Sequence, residues 1–490
     1  MYRYLLGLFC SLFMTLGFAD MVQYHRTIDY IEKMGKDIYC YWDLKKQQFG
    51  VDWQEVIASA RAKIDENTDD AQFEEILTQV ASSLHDGHVN YINSKGRVFY
   101  VPIDIKPLGG EYYIAKVDRD EFFPTPPDLN SGDKLLKIDG KEIKDYIKEK
   151  SQYVSGSTLN SIASYAASAV NSLPKFKKAP QKNMVITVED YLTKQHKQVE
   201  LPWLIYNRSL QAQSSSVDDV VTSKILPGNI GVLILTTMHH DNGMSAHIAS
   251  IKQAMQNLEN TDALIVDVRN NGGGWGEIGD TVVGHLIDKP VRRYQIQLKN
   301  SMQVIFSRPE LIDIFTQIDP NNDTYSEWQD VMIKPIGNHD EHAYYTKPVY
   351  VLTNERCFSA CDTFVDSFSS NKLGKVLGTQ TGGGTGYPLW IDLPYDFGNF
   401  RFSVLRGYSN HDRFLEGTGT IPDIYIQNTP HDLYNNVDGE LVRAYQHVMQ
   451  QLGIKQSANT MLNLSFAEAP SKVTPYVIEQ EQRQQLQRYH

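Results

Sequence analysis

The stretch that most limits what this chain can become is Val349 to Gly386, VYVLTNERCFSACDTFVDSFSSNKLGKVLGTQTGGGTG. Val349 to Thr353 is apolar and β-prone and predicts a buried strand. Asn354 to Phe358 interrupts the run. From Ser359 the period becomes helical, with Phe364, Val365 and Phe368 on one face. Val376 and Leu377 predict another strand, which ends in a glycine loop, Gly382 to Gly384. Ser359 therefore stands where a strand hands over to a helix N-terminus. Two readings follow. The hydroxyl caps the helix, or it attacks a group whose developing negative charge is met by free backbone N–H groups and the helix dipole.

The rest of the chain limits the choice. At 490 residues it is expected to hold two to four domains, and 41% apolar residues with 11% aromatics suffice for packed cores. A net charge of -12 argues against a nucleic-acid surface. The compact basic run, Lys175 to Lys182, lies among prolines and reads as an exposed loop. The N-terminus reads as a leader over 1–19. Arg3 precedes an apolar run from Leu5 to Leu16, and Gly17-Phe18-Ala19 ends in a small residue before Asp20. That run is short for a membrane span, so the expectation is an exported mature chain, periplasmic or extracellular. Three cysteines remain after cleavage, Cys40, Cys357 and Cys361. Export permits a Cys357–Cys361 bridge around Ser359, but buried free thiols are the expectation here.

Residues 20–94 predict helices, with Ile28, Ile31, Met34 and Ile38, then Phe73, Ile76, Val80 and Leu84, at helical spacing. The second series ends in Leu84-His85-Asp86-Gly87-His88, a turn that sets histidine beside an acid. Residues 95–205 predict a compact β-rich domain. It includes strands at Val101–Ile105 and Tyr112–Val117, a hairpin turning at Asp139-Gly140, and a small-residue helix from Leu159 to Val170. Residues 206–227 read as a polar linker. From 228 to 430 strands alternate with helices, which implies a parallel sheet with helical cover. The buried strand Ala263–Val268 opens into Arg269-Asn270-Asn271-Gly272-Gly273-Gly274. Three glycines there allow close backbone approach. A phosphate loop fits poorly, because no Lys-Ser/Thr follows. Residues 290–345 read as irregular, and 431–490 as a tail that begins helical. His239-His240-Asp241 has poor spacing for a metal and reads as a polar loop.

Taken in order, five of these motifs resemble the tail-specific (C-terminal processing) and tricorn-like serine peptidases with a PDZ-like domain. They are Asp86-Gly87-His88, the Gly132–Gly140 hairpin, Asp267–Gly274, Thr353–Asp362 with its Ser359-Ala360 pair, and Glu416-Gly417 to Pro422-Asp423. The resemblance covers about 80 to 430. It implies a multidomain α/β chain: an N-terminal helical segment, a PDZ-like β-rich domain and a crotonase-like ββα catalytic core. One branch of the family uses a Ser–Lys pair. Here the corresponding place is Gly382-Gly383-Gly384, while Lys372 and Lys375 precede or open the strand. The other branch implies Ser359 as nucleophile, His88 as base and Glu416 as the third member, with an oxyanion hole from Ala360 and Gly273 or Gly274. His85 competes for the base, and Asp412 or Asp423 for the acid. This chemistry needs no metal and no cofactor. The expected partner is a peptide or protein substrate, without nucleic acid and without a membrane span in the mature chain. The oligomeric state is left open. A catalytically inactive peptide-binding protein on the same scaffold, and an esterase or acylase using the same serine, are the competing readings.

Overall fold

The structure is a computed structural model. It describes residues 2–93, 98–122, 124–205, 220–239, 243–312, 318–319, 322–336 and 345–454, and of residues 2–19 the backbone only. The N-terminal region is four helices, α1 (Tyr2–Ile38), α2 (Trp42–Phe49), α3 (Trp53–Ala62) and α4 (Asp70–Ser82). Local signals set their ends. Gly50 closes α2 in the left-handed conformation, Asp52 caps α3, and Asp69 with Gln72 forms a capping box on α4. The predicted helical series are buried: Ile28, Ile31, Met34 and Ile38 on α1, and Phe73, Ile76 and Val80 on α4. Among the described residues, no helix is long and apolar enough to cross a membrane.

The β-rich domain follows. Strands β1 (Ile103–Leu108), β2 (Glu111–Val117), β3 (Lys134–Ile138), β4 (Met184–Glu189) and β5 (His196–Leu201) pair antiparallel in that order. Asp139 and Gly140 both have positive φ, as a tight hairpin turn requires. Helices α5 (Ile143–Lys150) and α6 (Leu159–Ser168) cover the sheet. Their apolar residues Ile143, Ile147, Ala166 and Ala167 join the inward side chains of β1 to β5 in one core.

The core sheet is built from β6 (Val221–Leu226), β7 (Ile230–Leu235) and β8 (Ala263–Asp267), continued later by β11 (Val349–Thr353), β12 (Lys375–Gly378) and the short β16 (Ile424–Tyr425). Only β6 runs antiparallel. Helices α7 (Met244–Leu258), α8 (Gly276–Gly284) and α9 (Ala360–Ser370) cover one face, and α10 (Gly439–Gln451) the other. Alternate residues of one strand serve the two layers: Leu233 and Leu235 pack toward Ile251, Ile278 and Phe364, while Ile230 and Val232 pack toward Leu441 and Val448. Such strands are buried on both faces and read as unbroken apolar runs.

Four expectations change. The polar stretch ending at 227 is not all linker, because Val221–Leu226 is an edge strand of the core; residues 206–219 lie outside the described residues. The described residues of the 290–345 stretch are not irregular; 313–317, 320–321 and 337–344 lie outside them. The stretch supplies β9 (Val291–Leu298) and β10 (Gln329–Ile333), which pair with β15 (Leu405–Ser409). Charge hid β9: Arg293 is buried on it, and its two terminal nitrogens donate to Asp280 and Thr363. Just before β15, β14 (Asn399–Phe402) pairs with β13 (Leu389–Asp392). The start of the C-terminal tail, α10, belongs to the core. The N-terminal helices also do not stand apart. Tyr24, Ile31 and Phe73 share a core with Leu298, Phe400 and Phe402, so the N-terminal helices pack against strands that come late in the chain.

Candidate active site

The turn between β11 and α9 presents Ser359. It occupies the N-cap position at φ 58° and ψ -120°, yet its side chain makes no capping bond. Its Oγ instead lies 3.0 Å from His88 Nε2. The capping reading therefore fails, and the positive φ of a non-glycine residue marks a backbone held by its surroundings. Those surroundings can be named. The Phe358 N–H donates to the Asn271 carbonyl at 3.0 Å, and Asn270 and Asn354 exchange hydrogen bonds of 2.9 Å each. Arg269 anchors the same loop to both oxygens of Asp267, both of Asp438, and Glu440. A Cβ on Gly273 would lie 2.6 Å from the Phe358 carbonyl and 2.8 Å from Ser359 Cβ, so glycine permits the contact. Cys357 and Cys361 are bridged, which corrects the expectation of free thiols and staples the turn around Ser359.

Gly273 does not offer a free N–H. That group donates to Asn271 Oδ1 at 2.9 Å, so the residue contributes space rather than an oxyanion donor, and that part of the expectation is corrected. Ala360 is the first residue of α9, and its N–H has no acceptor within the helix. Gly274 sits with φ 139° against Met238, in a parallel bridge. Residues 240–241 of the His239-His240-Asp241 loop lie outside the described residues.

His88 is delivered by the turn after α4. Asp86 Oδ1 accepts its backbone N–H at 2.8 Å, and Arg401 donates to its carbonyl at 2.6 Å. The ring packs on Phe358, with centroids 4.6 Å apart. The Phe358 ring in turn leaves no room for a Cβ at Gly87 or Gly384. Burial pushes the His88 imidazole well below its ordinary range, and the cationic Arg401 and Lys45 push the same way. It is therefore neutral at pH 7 and able to take a proton. Its Nδ1 is buried without a hydrogen-bond partner among the described residues. His85 is turned elsewhere: its ring stacks on Phe49 at 4.5 Å.

Glu416 is fully buried, and its Oε2 accepts the Thr385 N–H at 3.0 Å. One oxygen each of Asp86 and Glu416 and a ring nitrogen of His88 lie within 4.8 Å of one another. Those three atoms are also a possible metal set, but Lys45 already holds Glu416, and Asp86 Oδ2 accepts from Tyr39 and Ser403. The competitors for the third position are elsewhere. Asp412 is exposed, and Asp423 binds Lys375 at the surface. The lysines of the Ser–Lys alternative are also misplaced, since Lys375 opens β12 and faces Asp423.

Sequence reasoning missed three groups here. Asp362, three residues after Ser359 on α9, accepts the Gly384 N–H and ties the second glycine loop to the nucleophile helix; burial pushes its carboxyl up to about 7. Arg356 reaches from the nucleophile turn to Ser164 and Ser168 of α6, with its guanidinium over Tyr165. Lys45, from α2, is the third. The only sequence signal for the first two is their place beside Ser359. For Lys45 there is none.

Comparison with known proteins agrees with this layout. Residues 229–426 match the family model of peptidase family S41, and residues 97–213 that of a PDZ domain. A protein of Chlamydia muridarum (strain MoPn / Nigg) is 24% identical over 234 residues, which is 40% of this chain and 39% of the relative. A protein of Chlamydia trachomatis serovar D is 22% identical over 214 residues, 36% of each. The chain thus spans well under half the length of the curated relatives it matches. Mature CPAF complexed with lactacystin superposes with a TM-score of 0.72 at 18% identity, over 90% of this chain and 99% of that one. Mature CPAF alone gives 0.71 at 17%, over 91% and 99%. At such identity the likeness is one of fold.

Proposed function

As a member of the serine-type peptidase family S41 that carries a PDZ domain, the chain has a family chemistry to start from, and we propose that it hydrolyses peptide bonds through Ser359, His88 and Glu416. The observation that carries this reading is the 3.0 Å contact between Ser359 Oγ and His88 Nε2, across 271 residues of sequence, at a neutral buried histidine. Ser359 Oγ attacks the scissile carbonyl carbon while its proton passes to His88 Nε2. The carbonyl oxygen gains the charge and meets the Ala360 N–H at the positive end of α9, with Gly274 as the second donor. His88 then gives its proton to the leaving amine, and water releases the acyl group by the same steps reversed in role. Glu416 supplies negative charge within 4.8 Å of the imidazolium that forms. Phe358 packs between the His88 ring and the Gly384 loop and so steadies the site.

The substrate class is peptide or protein, and the PDZ domain supports that choice by its capacity for strand addition. The compartment is exported, periplasmic or extracellular. The leader-like N-terminus and the Cys357–Cys361 bridge support it, because disulfides persist in oxidising surroundings. The test is digestion of a peptide library read by mass spectrometry. New termini should appear with the wild type and be absent with Ser359→Ala and His88→Ala. Cleavage that survives Ser359→Ala contradicts the reading.

A further inference from the structure

The Ser359–His88–Glu416 reading leaves one member of a buried ion pair without a role, Lys45. The Lys45 and Glu416 side chains are wholly excluded from solvent, with Lys45 Nζ 2.6 Å from Glu416 Oε1. The ammonium also donates to the His85 carbonyl at 2.6 Å. Lys45 comes from α2, far outside residues 229–426 of the matched peptidase model. Removing two ions from water costs several kcal/mol each, and apolar residues of the same volume are often as stable. Stability alone is a weak reason for such a pair.

We propose that Lys45 is a positioning residue for the hydrolysis: its ammonium fixes the Glu416 carboxyl beside His88 and favours its charged form, so that the N-terminal helices set the charge of the catalytic centre. This deepens the Ser359–His88–Glu416 reading and rests on it.

The argument follows the groups around Glu416. From the turn after α4 come Asp86 and His88, within 4.8 Å, and His85, whose carbonyl shares the Lys45 ammonium. From the junction of α1 and α2 come Tyr39, Cys40 and Tyr41, each titrating against Glu416, and burial keeps all three neutral. The Thr385 N–H donates to the carboxylate, and the nearby Ser157 hydroxyl favours its charged form. Arg401 spends itself on the backbone carbonyls of Gly87 and His88. Among the described residues, Lys45 is therefore the cation bonded to Glu416, set against a second carboxylate, Asp86. Burial pushes the Glu416 carboxyl up to about 8, Asp86 adds to that, and Lys45 opposes both, so its charged fraction near neutral pH depends on the ammonium 2.6 Å away. Two buried carboxylates this close do not both stay ionised without a cation. Without Lys45, Glu416 takes a proton. The imidazolium that forms when His88 accepts the Ser359 proton then faces a neutral acid instead of a charge. Lys45 does not itself act as the base, because its two contacts of 2.6 Å are Glu416 and the His85 carbonyl.

The test uses the full chain, a fluorophosphonate probe and the nearly isosteric, uncharged variant Lys45→Met. Its second-order labelling rate should fall about 10²- to 10³-fold at pH 7. The acidic limb of the rate should move to higher pH, because the carboxyl of Glu416 now ionises later. A lysine that only packs would lower the whole profile without moving the limb, and that outcome overturns the proposal. If Lys45→Met does not fold, Lys45→Met with Glu416→Gln removes both charges of the pair together, leaving Asp86 with its bonds from Tyr39 and Ser403. Compared with Glu416→Gln alone, it should label at a rate within about threefold, whereas a further tenfold loss overturns the proposal. Wild-type labelling of Lys45→Met beside inert Ser359→Ala and His88→Ala would overturn this inference and leave the triad standing. Labelling of Ser359→Ala would remove the triad itself.

Discussion

Arg269 and Lys45 are both cations drawn inside against carboxylates, one behind the loop that packs on the nucleophile turn and one behind the turn that carries His88, yet they are matched differently. Arg269 meets three carboxylates through five hydrogen bonds, and its planar fork suits them. Burial raises Asp438, but Arg269 beside it wins and holds that carboxyl below the usual range. Lys45 is a single point charge facing Glu416, with Asp86 close by, and there burial wins and Glu416 is raised. A fully matched cluster fixes backbone: Arg269 carries the Asn-Asn-Gly loop against the nucleophile turn. A cluster short of one cation is poised, and perturbed groups in a cleft are where proton chemistry is found. The comparison separates the residues that hold the site from those that make it react.

Four substitutions can break or sharpen that distinction. The largest effect on rate belongs to the poised side. Glu416→Gln should lower the labelling rate about 10²- to 10⁴-fold. Its residual activity should show an acidic limb below pH 6.5. With the carboxylate gone, His88 is faced by Lys45 and Arg401, and a lowered pKa keeps the neutral base present to lower pH. A limb at or above 6.5 would count against the assignment. On the matched side, Arg269→Ala should destabilise by about 3–5 kcal/mol, the usual effect of stripping one partner from a buried pair, read as a fall in the denaturant midpoint. If it instead leaves stability intact and abolishes labelling, Arg269 belongs with the reactive group. Replacing both Cys357 and Cys361 by Ala opens a five-residue staple, worth about 2 kcal/mol by chain entropy. Ser359 should also label more slowly, because the turn loses one restraint on its backbone. The smallest effect is expected from Lys375→Ala. Its exposed pair with Asp423 is worth about 0–1 kcal/mol, and the labelling rate should stay within about twofold. A large loss there would return the Ser–Lys mechanism to consideration.

The parts of the site that a reader of the sequence can find are those written in a few adjacent residues. The strand–turn–helix at Ser359, the glycines after Asp267 and the Asp-Gly-His turn each carry their own local signal, because a buried parallel strand is an apolar run and close approach needs glycine. What stays hidden depends on distant partners. Lys45 sits in Leu44-Lys45-Lys46-Gln47-Gln48, and nothing in those residues tells which lysine is buried until Glu416 arrives 371 residues later. Strand β9 carries Arg292 and Arg293, so it looks like loop until Asp280, Thr363 and Asn410 accept from them. The role of Gly273 is subtler: the sequence predicts exposed N–H groups, but the side chain of Asn271, two residues earlier, takes this one. Cys357 and Cys361 could be read either way, since four residues apart at a helix start suits a bridge and a pair of core thiols alike.

The central claim is that Ser359 is an activated nucleophile whose base is His88. The most direct test is to label the purified chain with a fluorophosphonate and map the adduct by mass spectrometry. The probe forms an Oγ–phosphorus bond and expels fluoride, so it reports the nucleophile without knowledge of the substrate. The account predicts one modified peptide, containing Ser359, which disappears in Ser359→Ala and falls at least about 10³-fold in rate in His88→Ala. A folded wild type that takes no label, or a His88→Ala variant that labels at the wild-type rate, would contradict it.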